Sequence, residues 1–115
     1  MKLLKKEFVS NVDHCGDHKF VQLKRTNSIA VYARYKMDGW IFGYEVFKIK
    51  TVKAGSPLPN NTVVAEDYES YPGKNAFGKT AMFFSAGNKK TDPENLYNIF
   101  VKRFGECNTK KEVAN

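Results

Sequence analysis

Ile29-Ala-Val-Tyr-Ala-Arg-Tyr-Lys36, then Met37-Asp38-Gly39-Trp40, then Ile41-Phe-Gly-Tyr-Glu-Val-Phe47 is the stretch that decides the fold. Two runs rich in β-branched and aromatic residues flank Asp38-Gly39. Asp-Gly readily adopts the positive φ angles of a two-residue type I′ hairpin turn. Such a turn fixes a register in which Met37 faces Trp40, Tyr35 faces Phe42, Ala33 faces Tyr44 and Val31 faces Val46. Every pair is apolar or aromatic, so this side is expected to be the core. The other side pairs Lys36 with Ile41, Arg34 with Gly43, Tyr32 with Glu45 and Ala30 with Phe47. That set is mixed, and it is expected to be solvated or only partly covered.

Working outward, Phe20 to Arg25 reads as the preceding strand, separated from Ile29 by Thr26-Asn27-Ser28. A three-residue loop sets Leu23 against Val31 and Val21 against Ala33. A two-residue loop would set Lys24 against Val31, so the longer loop is expected. Neighbouring strands are therefore predicted over Lys19–Arg25, Ile29–Lys36 and Trp40–Lys50. Leu3 to Val12 predicts a first strand, joined to the next through residues 13–18. Residues 51–62 hold Gly55, Pro57, Pro59 and two Asn and read as a loop. Val63-Val64-Ala65 reads as a short strand, Tyr71-Pro72-Gly73 as a turn and Thr80 to Phe84 as the last strand. A helix follows over Asp92–Phe104, with Asp92 as N-cap, Pro93 at the first helical position and Gly105 as the stop. Thr91 with Glu94 also fits a capping box. Its apolar stripe is Leu96, Ile99, Phe100 and Phe104, of which Leu96, Ile99 and Phe100 are expected to be buried. The expected class is α+β: an antiparallel sheet of about four to six strands with one C-terminal helix packed on it. Residues 1–105 form the expected single domain and 106–115 a flexible tail.

The composition agrees. The 115 residues are 42% apolar and 27% charged, the balance of a globular domain, with nine Phe, six Tyr and one Trp to fill a small β-rich core. The net charge of +7 is uneven. Residues 1–61 hold eleven Lys/Arg against five Asp/Glu, and residues 62–115 hold eight against seven. A basic half attracts anionic partners, although Lys, sixteen of the nineteen cations, also serves solubility. Two cysteines, Cys15 and Cys107, do not make a disulfide scaffold. No apolar run is long enough for a signal peptide or a membrane span, so a cytoplasmic protein that avoids membranes is expected.

Three motifs invite chemistry. Residues 73–80, Gly-Lys-Asn-Ala-Phe-Gly-Lys-Thr, match the phosphate-loop pattern in full. That chemistry needs a buried strand before the loop and a helix beginning at its Lys-Thr. Here an acidic, turn-forming stretch precedes it and a strand-like one follows, so nucleotide hydrolysis is not expected. His14, Cys15 and His18 cluster in one segment, with Cys107 far along the chain. Zinc sites take paired ligands from two places, so an exposed polar turn is expected and no metal. No nucleophile motif surrounds any Ser or Cys, and Glu66, Asp67 and Glu69 read as a solvated run. An enzyme is not expected, nor a cofactor.

Binding is the remaining class. Under the register above, Lys24, Arg34, Lys36 and Tyr32 lie together on the mixed face, where cations beside a ring can grip phosphates and stack a base. For a protein partner the candidate aromatic anchors are Tyr32, Phe47 and Tyr68.

Phe20-Val-Gln-Leu-Lys-Arg25, Ile29-Ala-Val-Tyr32, Gly43-Tyr-Glu-Val-Phe-Lys-Ile49, Glu69-Ser-Tyr-Pro72 and Phe77-Gly-Lys79 together resemble a group of small, uncharacterised tailed-bacteriophage proteins. The resemblance spans about residues 19–104. It departs in the Lys-rich N-terminus and in the longer, Asn-rich approach to the helix. What it implies is a phage setting, with no active site to carry over. In that setting the expected function is a non-enzymatic accessory protein that binds a host or phage macromolecule, in host takeover or counter-defence. Nucleic-acid binding is the alternative, and a virion or assembly component a second one.

Overall fold

The computed structural model describes residues 1–11, 16–85 and 91–105. Among the described residues, seven strands and one α-helix follow one another: β1 Glu7–Asn11, β2 Asp17–Arg25, β3 Ile29–Lys36, β4 Ile41–Lys48, β5 Lys50–Val52, β6 Tyr68–Ser70, β7 Ala81–Ser85 and α1 Pro93–Phe104. All strand pairings are antiparallel. One sheet has the order β1-β2-β3-β4-β7, and β5 and β6 form a separate pair. The expected α+β architecture is what the chain adopts. Among the described residues, no helix is long and apolar enough to cross a membrane.

β3 lies at the centre of the five-stranded sheet, and Ile29 to Arg34 are all buried, so both of its faces must be covered. One face holds Ile29, Val31, Ala33, Tyr44 and Val46 beneath Leu96 and Phe100 of α1. This is the apolar side that the pairing pattern requires. The helix is fixed at both ends. The Asp92 side chain accepts from the Glu94 N–H at 3.1 Å, and the Gly105 N–H closes onto the Val101 carbonyl at 2.7 Å. Ile99, expected inside, is 48% exposed. The stripe is narrower than the sequence reading assumed, and Tyr97 and Val101 flank it instead.

The other face is the larger correction. It is neither solvated nor bare: Phe20, Ala30, Tyr32, Phe47 and Ala81 form a second buried cluster under Leu4, Phe8, Ile49, Tyr71, Ala76 and Phe77. Two clamps hold the covering segments down. The Arg25 guanidinium grips the Glu69 carboxylate with both nitrogens, at 2.6 and 2.8 Å, and Glu69 Oε1 also accepts from the Leu4 N–H. The Tyr32 hydroxyl donates to the Lys5 carbonyl at 2.6 Å. Bidentate Arg–carboxylate pairing fixes geometry as well as energy, so one pair ties β2, β6 and the N-terminal segment together.

Both hairpins depart from the expected loop length by one residue, and in each a bulge restores the register. At the β3–β4 turn, the Lys36 N–H bonds the Trp40 carbonyl and the Gly39 N–H bonds the Lys36 carbonyl, which makes Met37-Asp38-Gly39 a three-residue loop. Only Gly39 has positive φ there, at 98°, so the turn is not type I′. Tyr35 then faces Ile41, Phe42 is the extra residue, and Arg34 faces Gly43. Beyond the bulge, Val31 faces Val46 and Ala33 faces Tyr44 as the two-residue turn predicts. Between β2 and β3 the Thr26 N–H bonds the Ile29 carbonyl, leaving a two-residue loop. Leu23 is the bulged residue, Lys24 faces Val31, and Val21 still faces Ala33. The three-residue loop expected there is therefore incorrect at the turn and right beyond the bulge.

Other boundaries shift by less. β1 is shorter than the predicted first strand, Val63 makes only an isolated bridge to Pro57, and residues 51–52, read as loop, belong to β5. Met37 and Trp40, expected on the core face, stand 62% and 69% exposed, because the hairpin tip extends beyond the core clusters.

Candidate functional site

The second face carries an ion pair at its polar end. Arg34 of β3 and Glu45 of β4 project to the same side, and Arg34 Nη1 donates to Glu45 Oε2 at 2.8 Å. Arg34 Nη2 lies 3.0 Å from Nδ1 of His18, on β2. A guanidinium only donates, so Nδ1 accepts and the imidazole is neutral with its proton on Nε2. Burial and the charges of Arg34 and Lys36 all hold His18 below its ordinary pKa, against a smaller opposing pull from Asp17. Burial raises the Glu45 carboxyl, and Arg34 partly offsets it. His18, Arg34 and Glu45 are the buried polar residues of the sheet, at 1%, 8% and 3% exposure.

Rings enclose the guanidinium. Its carbon lies 4.8 Å from the centroid of Phe42, 5.3 Å from Phe20 and 5.4 Å from Phe83. Cation–π contacts of this kind gain strength when the cation is desolvated. Gly43, directly across from Arg34, makes the arrangement possible. A Cβ there would clash with the Phe83 ring and lie 2.7 Å from the Phe84 carbonyl oxygen.

Above this floor opens a cleft of about 520 Å³, lined by Arg34, Glu45, Phe20 and Phe83, by Tyr71-Pro72-Gly73 and Phe77, and by Ser10 and Asn11 at one rim. Among the described residues, three buried side-chain polar atoms lack a hydrogen-bond partner: Arg34 Nε, Glu45 Oε1 and Tyr71 Oη. All three belong to side chains that line the cleft. Leaving a buried polar atom unpaired costs about 1–3 kcal/mol, and native structures contain few of them.

Tyr32 and Arg34 lie on one face of β3, as the sequence register has them, whereas Lys24 does not join them. The Leu23 bulge turns Lys24 across the sheet onto the helix side, where its ammonium lies 3.0 Å from Glu94 and over the Tyr97 ring. Tyr32 is fully buried, accepting from Gln22 Nε2 at 2.9 Å and donating to Lys5, so it presents no face for stacking. Arg34 is engaged as above. Lys36 is exposed at the end of β3. Phe47 is fully buried with its centroid 4.8 Å from that of Tyr71, which removes it as a surface anchor. Tyr68 alone of the three proposed anchors keeps exposed surface, half-buried on β6 beside Lys2.

His14, Cys15 and Cys107 lie outside the described residues. His18 was placed on an exposed turn, yet it sits within β2, with its ring against Phe42 at 4.7 Å. The phosphate-loop match forms a 3-10 turn over Lys74–Ala76 and a further turn into β7, so a strand follows Lys79-Thr80 where that chemistry needs a helix. The exposed pair Met37 and Trp40 is what sequence reasoning missed. The signal was available: both residues lie next to the Asp-Gly turn, where a hairpin can outrun its core. Comparison with protein-family models, curated proteins and solved structures finds no match for the chain.

Proposed function

We propose that the chain is a non-enzymatic accessory protein that grips another protein, with Trp40 at the β3–β4 tip as anchor of the contact and Met37 beside it. The observation that carries this reading is the exposure of the chain's one Trp, 69%, in a turn held by its own backbone bonds. Trp is the residue type most enriched at the energetic centres of protein interfaces. Burying the rest of such a ring is worth about 4 kcal/mol at 25 cal/mol/Å². The tip is ordered before any partner arrives. The Lys36 N–H donates to the Trp40 carbonyl at 2.8 Å, and the Asp38 carboxylate accepts from the Trp40 N–H at 3.1 Å. A preformed loop loses little entropy on binding.

The resemblance to tailed-phage proteins supports host takeover or counter-defence in the host cytoplasm as the setting, with a host protein as the partner. Lys24 lies on the opposite side of the sheet from Arg34, and Tyr32 and Arg34 are both buried, which leaves the nucleic-acid alternative with less support. Affinity capture from host lysate tests the reading. A discrete protein partner is expected to survive nuclease treatment and moderate salt, and to be lost with Trp40→Ser. Recovery that is nuclease-sensitive for every partner overturns it. Capture of a phage structural protein alone would move the chain to the virion or its assembly.

A further inference from the structure

Arg34 and Glu45 hold each other through one atom apiece and leave Arg34 Nε and Glu45 Oε1 without a partner among the described residues. Their side chains are 9% and 4% exposed, on the floor of an aromatic-walled cleft of about 520 Å³. Stability alone does not account for such a pair, because apolar residues of similar volume often replace buried ion pairs without loss. A donor, an acceptor and the Tyr71 hydroxyl, all unpartnered and all on side chains that line this one cleft, describe a recognition site.

We propose that the cleft binds a neutral planar heterocycle of the nucleobase class. Polar groups of the ring meet Arg34 Nε–H and Glu45 Oε1, and its faces lie against Phe20, Tyr71 and Phe83. Charge selects the class. A phosphate or carboxylate would meet the free oxygen of Glu45, and a cation would meet the guanidinium. Arg34 and Glu45 cancel, and His18 is neutral because its Nδ1 accepts from Arg34. What fits is a neutral ligand whose polar edges carry both donors and acceptors and whose faces are flat and apolar, which is the chemistry of a nucleobase. The volume suits a nucleoside. Phe83 is the movable wall: it lies on β7 at the end of the sheet order, is 39% exposed, and covers Gly43 beside the guanidinium. Turning that ring outward opens the side of the guanidinium that it covers. The cleft is separate from the hairpin tip, since neither Met37 nor Trp40 lines it.

The test is a titration of the isotope-labelled protein with adenosine, guanosine, cytidine and uridine, followed by amide shifts. Phenol and inorganic phosphate serve as probes lacking the edge or the neutrality. At least one nucleoside is expected to shift the Arg34, Glu45, Tyr71 and Phe83 amides with a dissociation constant at or below about 1 mM, with phenol and phosphate silent. The variant Arg34→Met/Glu45→Leu exchanges the pair for apolar side chains and is expected to fold but to bind at least about tenfold more weakly. Should that variant not fold, nuclear Overhauser contacts from nucleoside ring protons to the Phe20 and Phe83 rings of the native protein decide the matter. No shift from any nucleoside up to about 10 mM overturns the proposal, as does phosphate binding at the same residues, undiminished affinity in the folded variant or absence of those contacts.

Discussion

Gly43 illustrates how one absent side chain sets up the polar end of the sheet. It faces Arg34 across the ladder, and the Phe83 ring occupies the space where a Cβ would stand. The backbone oxygen of Phe84 closes the other side, so the neighbours cannot all give way. Gly43→Ala is therefore expected to destabilise the fold by about 1–3 kcal/mol, the usual cost of overpacking, read as a lowered urea midpoint. An unchanged midpoint would mean that Phe83 does not rest there. His18 provides a pH signature. Its folded pKa is depressed by burial and by Arg34 and Lys36, so the unfolded chain takes up the proton first. Its contribution is intact above the ordinary value near 6.5 and is lost as pH falls from there towards the folded pKa. Glu45 works the other way. Burial raises its folded pKa, so the stability linked to its protonation is present in acid and lost as pH rises through the folded value. Its window opens at the ordinary carboxylate value of 4.5 and runs upward from there. Between pH 7.5 and 5.5 the His18 effect is expected to dominate, and His18→Gln is expected to flatten that fall. A slope that survives the substitution would place its origin elsewhere.

The elements show which parts of the fold a sequence displays. Alternation told the core face of β3 from its neighbour because Val31, Ala33, Tyr44 and Val46 pair only among apolar residues in the right register. Loop lengths were not legible. Near a turn, either length gives acceptable pairs, and the energetic penalty for misregister accrues only where side chains are buried. The two bulges, at Phe42 and Leu23, lie at that boundary between free turn and constrained core. Their effect on site prediction is large, since one bulge sends Lys24 to the helix side. Lys24→Ala is expected to cost at most about 1 kcal/mol, as for an exposed ion pair with Glu94. Generic DNA or RNA binding, where measurable, is expected to stay unchanged. A steep loss of nucleic-acid affinity in that variant would return Lys24 to a basic site. The second buried face was illegible for a different reason. Arg34, Glu45 and Tyr32 look solvent-facing as single letters, and become interior only once Arg34 finds Glu45 and Tyr32 finds Gln22 and Lys5.

At the scale of the whole molecule, the sheet is covered on both sides, ten large apolar side chains still stand exposed among the described residues, and the most exposed of them is Trp40. The +7 charge does not define that contact, and two of the three cations proposed to grip phosphates, Lys24 and Arg34, are engaged in ion pairs. The phosphate-loop match has no helix dipole behind Lys79-Thr80, so Lys79→Ala is expected to leave calorimetric titration with ATP or GTP and magnesium unchanged. Micromolar binding abolished by that change would contradict the structure of this segment. The central claim is that a protein partner closes over Trp40, and as the chain's one Trp it reports on its own burial. The direct measurement is Trp fluorescence of the protein, free and saturated with its nuclease-resistant partner in a form lacking Trp. The account predicts red-shifted, readily quenched emission in the free protein and a blue shift with loss of acrylamide quenching in the complex. A saturated complex in which Trp40 emission and quenching stay those of the free protein would contradict it.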